Sequence, residues 1–339
     1  VQPNARAARY AFKHALVQEA AHATLLRRTR QEYHRRIAEI YAARFPQIAE
    51  AQPELLAQHY SQAGLPAQAA DQWLRAGERA TAQGAMLEAR IFFDRALEGI
   101  APEDHERRWR ALTGRQATLF LAGERAAEQA DIAALLELAD AAANQAWRAE
   151  ALLCRLKQLN ALGEYAAMPP LADTVIGAAQ AAGNPGLEAR ALCLKAAALT
   201  RLGKPAARQT AEAAVARGRA AADEGAIAYA MGMLALHEAY AGDYARAAQL
   251  WTNVLELVRR GGDRALEARA LSNLGAAYQY LGQFDQAQQY LEQGLALCDM
   301  IGDRHGHAYN VVNLGGVMLL SGDSAAAKRL FEQGPVSYT

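Results

Sequence analysis

Cysteine is scarce in this sequence. Its 339 residues hold three, Cys154, Cys193 and Cys298, an odd number with no Cys-x-x-Cys pair. That excludes a disulfide framework and fits a reducing, cytoplasmic compartment. Net charge is also missing, because 36 basic side chains face 36 acidic ones. A general binder of nucleic acid or anionic membrane normally carries a basic excess, so neither partner is expected. No run approaches the roughly 20 uncharged apolar residues that cross a bilayer. The first residues hold no continuous apolar core ahead of a small-residue cleavage site, so no signal peptide is expected there. Strand-like alternation is absent as well.

Chemical motifs are equally sparse. "RLGKP" at 201–205 lacks the spacing and the hydroxyl of a phosphate-binding loop. There is no His-Glu-x-x-His and no cysteine cluster for zinc. His305 and His307 beside Asp303 in "RHGH" are expected in an exposed turn rather than on a metal. No nucleophile–base arrangement stands out. The segment is therefore expected to be non-catalytic by itself, with no cofactor and no metal.

What the chain has is repetition. Gly84, Gly123, Gly163, Gly203, Gly242, Gly282 and Gly322 follow one another at intervals of 39 or 40 residues. Each lies between two stretches of helical apolar periodicity, where a left-handed residue ends a helix at least cost to glycine. Asp263 and Asp303 stand where a side chain caps the next helix. Pro169, Pro170 and Pro205 fall near helix starts, where a missing N–H costs least.

The later copies are the clearest. "NLGAAYQYLGQFDQAQQYLEQGL" carries Leu274, Gly275, Tyr278, Gly282, Phe284, Ala287, Leu291 and Gly294. "NLGGVMLLSGDSAAAKRLFEQG" repeats it with Leu314, Gly315, Met318, Gly322, Ala327, Phe331 and Gly334. The pattern resembles the tetratricopeptide repeat (TPR), in the 40-residue form of cell-polarity scaffolds, kinesin light chains and bacterial regulators. Small Gly275 and Ala287 let two antiparallel helices approach, while Tyr278 and Leu291 fill the space between hairpins. The expected fold is all-α, a right-handed α-solenoid of about seven hairpins from about 66 to 334, with one further helix at 53–63. The expected domains are a helical remnant at 1–50 and the repeats at 51–339.

In TPRs the first helix of each hairpin lines the groove. Its outward positions here are Arg110, Lys157, Asn160, Arg190, Arg201, Tyr229, Tyr240, Arg269, Asn273, Gln279, Tyr280, Tyr309 and Asn313. The resemblance implies a protein or peptide ligand in that groove. Asn273 and Asn313 both stand two residues before the repeat glycine. In similar repeats such asparagines bond the backbone of an extended peptide, using donor and acceptor together. The same residues also serve as plain helix-surface or inter-hairpin hydrogen bonders, and the sequence leaves both roles open.

A second resemblance covers roughly residues 10–100. "YAFKHALVQEAAHATLL", "YHRRIAEIY" and "AQPELLAQHYSQAGLPAQAADQWLRAGERA" resemble the join between ATPase and TPR regions in bacterial STAND-type signalling ATPases, above all those preceded by a class III cyclase domain. Phe12, His14, Ala15, Leu16, Gln18, Glu19, Ala20 and Leu25 match that join, with His22 where an aromatic is usual. The resemblance implies a winged-helix-like remnant, an ATPase attached upstream, and repeats that restrain it until a partner engages. The alternatives are a free-standing adaptor and the regulatory arm of a nucleotide cyclase. Val1 in place of Met, and an end at "FEQGPVSYT", lead us to expect a piece of a longer protein. Arg27, Arg28, Arg30, Arg35 and Arg36 are offset by Glu19, Glu32 and Glu39. They read as a solvated helix or interdomain contact in preference to a DNA-recognition surface.

Overall fold

The computed structural model describes residues 26–333. The join motif from Phe12 to Leu25, with Glu19, lies outside the described residues, as does Gly334. Seventeen α-helices and a single 3₁₀ turn follow one another, and no strand occurs among the described residues. They are α1 (Arg27–Arg44), α2 (Pro46–Ala51), α3 (Pro53–Gln62), α4 (Pro66–Ala82), α5 (Met86–Gly99), α6 (His105–Ala122), α7 (Arg125–Ala141), α8 (Gln145–Leu162) and α9 (Met168–Ala181). Then come α10 (Pro185–Arg201), α11 (Ala207–Ala220), α12 (Glu224–Tyr240), α13 (Tyr244–Gly261), α14 (Arg264–Tyr280), α15 (Phe284–Ile301), α16 (Arg304–Leu320) and α17 (Ser324–Gln333). From α4 onward they pair as seven antiparallel hairpins, the expected all-α solenoid. The chain divides into two compact units, Val1–Leu138 and Ala139–Thr339.

In the first unit α1 packs on α3, and α3 on α4. The arginines of the basic run lie on α1, which buries little beyond Ala38; Arg35 pairs with Glu39 at 2.9 Å on an exposed face. The 50/51 boundary falls at the end of α2, inside this unit. Across the next helices Arg115 of α6 holds two carboxylates, Asp94 of α5 at 2.8 Å and Asp131 of α7 at 2.9 Å through Nε.

The hairpin turns are built as their spacing foretells. All seven period glycines are left-handed, with φ between 62° and 93°. At Gly203, Gly242 and Gly282 an added Cβ would meet nothing within 4 Å, so the backbone conformation alone demands glycine there. Asp263 and Asp303 cap α14 and α16 by accepting from the N–H of Leu266 and Gly306, each at 2.9 Å. The turns between hairpins need the same conformation but do not always spend a glycine on it: Ala143 and Ala222 sit at φ 48° and 51°. Alanine is strained in this region by roughly 1 kcal/mol. Ala222→Gly is therefore expected to stabilise the chain by about 0.5–1 kcal/mol, seen as a higher midpoint in urea unfolding.

Within a hairpin one small residue admits one large one. An added Cβ at Gly275 would stand 2.4 Å from Cγ of Leu291. Gly77 faces Phe93, Gly232 faces Trp251 and Gly315 faces Phe331 in the same way. Much of the remaining core is alanine, with Ala189, Ala191, Ala196 and Ala198 of α10 all fully buried. Alanine forfeits no rotamer freedom on burial, and it lets helices pack closely. A single hairpin cannot cover its apolar face, so neighbours do. Ala287 and Leu291 of α15 accordingly pack with Leu314 and Val317 of the next hairpin and with Tyr278.

Candidate functional site

In the second unit the first helices of four consecutive hairpins, α10, α12, α14 and α16, line one cavity of about 610 Å³. Its wall includes six of the residues expected to face a groove: Arg201, Tyr229, Tyr240, Arg269, Asn273 and Tyr309. The deeper surface is made by Met233, Leu236, Trp251, Ser272 and Cys298, with Asp263, Asp303 and His305 at the helix N-termini. An α-helix brings residues three, four and seven apart onto one face. Arg269, Asn273 and the nearby Ser272 on α14, and Tyr229, Met233, Leu236 and Tyr240 on α12, accordingly share their helices' cavity side.

The aromatic and basic groups are held against one another. The Arg269 guanidinium lies 5.1 Å over the ring of Tyr229, and that of Arg201 lies 5.6 Å over Tyr165. Burial pushes the Tyr229 phenol up from its ordinary value, and the neighbouring Arg269 pulls the other way. Burial likewise raises the phenol of Tyr309, which lies near Tyr240 and Tyr280. Tyr240 stays 65% exposed, so its ring is free for contact.

The other expected positions fall elsewhere. Tyr280 ends α14, 68% exposed, with its ring stacked on Tyr244 at 4.4 Å and 6°. Gln279 lies against Gly316 of α16. Arg190 is drawn off by a cap: its Nε and Nη2 donate to Asp223, whose other oxygen accepts from the N–H of Ala226. Lys157 and Asn160 belong to α8, and Arg110, in the first unit, pairs with Glu78 at 2.7 Å. Asn273 and Asn313 do the same thing in successive hairpins. Each donates to the carbonyl one turn back on its own helix, Arg269 at 2.8 Å and Tyr309 at 3.0 Å. That uses one of the two N–H groups of the amide and leaves the carbonyl oxygen of the side chain for another donor.

One expectation about chemistry changes in detail. His305 and His307 stand in the first turn of α16, not in the turn before it, because the Asp303 cap starts the helix at Arg304. His307 pairs with Asp299 at 2.6 Å, and no group of three metal-ligating side chains occurs among the described residues. Cys193 is 2% exposed, and burial pushes its thiol up to about 12, in keeping with a small buried hydrophobe. Cys154 is only half-buried. Sequence reasoning did not single out Met233, Leu236, Ser272 and Cys298, whose apolar or small side chains carry no binding signal of their own. Asp263 and Asp303 were legible only as caps.

Residues 226–300, from α12 through α15, match the family described as tetratricopeptide repeat. These two hairpins are tetratricopeptide repeats. Similar folds recur among solved structures. One is a Signal Transduction ATPase with Numerous Domains (STAND) protein with a tetratricopeptide repeat sensor, from Pyrococcus horikoshii. It has a TM-score of 0.59 at 11% identity, over 90% of this chain and 46% of that one. A Rap protein complexed with Competence and Sporulation Factor gives 0.62 at 14%, over 90% and 85%. NprR in complex with its cognate peptide NprX gives 0.51 at 18%, over 78% and 76%. At these identities the likeness is one of fold. An uncharacterised protein of Rhizobium meliloti (strain 1021) is 35% identical over 89 residues, 26% of this chain and 9% of that protein. The chain thus spans a small part of the curated relative it matches, and about half the length of the STAND protein. Among the described residues no helix is long and apolar enough to cross a membrane.

Proposed function

We propose that this chain is the interaction arm of a larger signalling ATPase or regulator, and that it takes an extended peptide or protein segment across α10, α12, α14 and α16. The observation that carries the reading is the cavity itself: four consecutive first helices converge on it with two guanidiniums, three tyrosines and Asn273. Tyrosine offers wide contact area at low entropic cost, and arginine a fixed fork of donors, the mixture that anchors peptides. The same fold holds Competence and Sporulation Factor in the Rap protein and NprX in NprR, which supports a groove used for peptides. The likeness to a STAND protein supports an attached ATPase. A phosphate-binding loop encoded upstream of Val1 is the expected companion of this arm.

The immobilised chain is expected to select binders from a randomised, amidated nonapeptide library. Asn273→Ala and Tyr309→Ala are each expected to weaken the selected peptides about tenfold, measured by fluorescence anisotropy. Failure to select any peptide, or affinities untouched by both substitutions, would overturn the groove reading.

A further inference from the structure

We infer that the cavity reads an acidic residue inside the peptide, the side-chain carboxylate of an Asp or Glu spanning the guanidiniums of Arg201 and Arg269. The inference rests on the peptide-groove reading above and adds the chemical class of one anchor.

Many of this chain's arginines are neutralised by the chain itself. Arg107 pairs with Asp71 and Asp104, Arg115 with Asp94 and Asp131, Arg190 with Asp223, and Arg259 and Arg264 with Glu267. Arg201 and Arg269 stand apart from these. Both line the cavity, both rest on tyrosine rings, and neither forms an ion pair with a carboxylate among the described residues. They come from different hairpins, α10 and α14, and both bear electrostatically on Tyr229 of α12 between them. Arg269 also hydrogen-bonds the Tyr229 side chain, and a guanidinium carries five N–H donors, so each arginine keeps donors that a carboxylate's two oxygens can accept from.

The cavity's own acids do not fill this role. Asp263 and Asp303 each have one carboxylate oxygen bound to a helix N–H. Asp263 precedes Arg269 by six residues, which is about 9 Å along a helix axis. A free small anion is a poor occupant of so large a space, since exposed ion pairs gain little against water. A peptide that also covers Tyr240 and Tyr309 excludes that water and strengthens the pair. The cavity wall continues past Arg269 to Tyr309 of α16, and Tyr240 of α12 adds exposed ring surface between the helices that carry the two arginines. The bound chain therefore has wall to follow beyond the acid, which favours an internal side chain over a terminal carboxylate.

The test is the same amidated nonapeptide selection, run with the native 339-residue chain, with Arg201→Gln/Arg269→Gln, and with Arg201→Lys/Arg269→Lys. Both side chains are exposed, so folding is expected to persist in each variant, checked by circular dichroism. The native chain should enrich Asp or Glu at one register position at least about tenfold over the input. The Gln pair should still select peptides while losing that enrichment, and the Lys pair should keep part of it. Peptides selected without acidic enrichment, or enrichment that survives the Gln pair, would refute the acidic anchor while leaving the groove standing. Binding that appears only when the peptides carry a free C-terminal carboxylate would refute the internal position. Selection of nothing by the native chain from either the amidated or the free-carboxylate peptides would remove the groove and the anchor together.

Discussion

Trp251→Ala is expected to cost ~3–5 kcal/mol, measured by urea or thermal unfolding. Trp251 is 2% exposed, and Gly232 of the facing helix has its Cβ position 3.0 Å from the edge of the indole ring. The cluster around it joins α10 to α15 through Cys193, Met231, Leu255, Leu271 and Leu274. A glycine opposite the ring has no side chain with which to close the vacated space, so the loss should include a cavity contribution as well as transfer. Because a repeat array is stabilised by nearest neighbours, the damage should spread. Hydrogen exchange should speed up in α12 to α15 before it does in α8. Trp251 also lines the candidate groove, so peptide selection should fail at temperatures where the native chain still succeeds. A midpoint unchanged from the native protein would show that the indole is not held between these hairpins.

Arg115→Met is expected to cost about 3 kcal/mol, the penalty for removing one partner of a buried pair. Asp131 has a side chain only 4% exposed, and Arg115 supplies two of its hydrogen bonds while a third reaches Asp94. The carboxylate of Asp131 outweighs burial and holds the guanidinium's pKa above its ordinary value. Methionine keeps the length of the side chain and discards the charge, so the buried acid is left without its cation. Adding Asp131→Asn should recover more than half of the deficit, because the stranded charge goes with it. A single-mutant cost within about 1 kcal/mol, the range of a surface pair, would show that the triad is effectively solvated.

The two residues behind these expectations were not equally readable in the sequence. Trp251 stands 40 residues, one repeat, before Leu291, and glycine periodicity alone locates the hairpin that holds it. The seven turns, the caps at Asp263 and Asp303, and the close approach at Gly275 were legible for the same reason: local chemistry dictates them. The Arg115 triad was not, because its members come from α5, α6 and α7 and nothing in a charge pattern says which carboxylate will be buried. Ala143 and Ala222 escaped notice because neighbouring hairpins impose a conformation their own chemistry disfavours. The groove was half legible. Helical phase puts Arg201, Tyr229, Arg269 and Asn273 on outward positions, and all four line the cavity, but phase says nothing of partners. Arg190 had the same outward position and was claimed by the Asp223 cap. Cys298 and Ser272 reached the cavity wall although their small side chains carry no binding signal of their own.

The open hairpin tips have a practical meaning. At Gly203, Gly242 and Gly282 nothing lies within 4 Å of the place where a side chain would begin. Short insertions beside these glycines touch no packed surface, the circumstance in which chains accept added sequence. The tips therefore serve as mounting points spaced one repeat apart. Fluorophores carried on inserted tags at two of them would act as a ruler along α10 to α15, able to register whether an arriving peptide draws neighbouring repeats together.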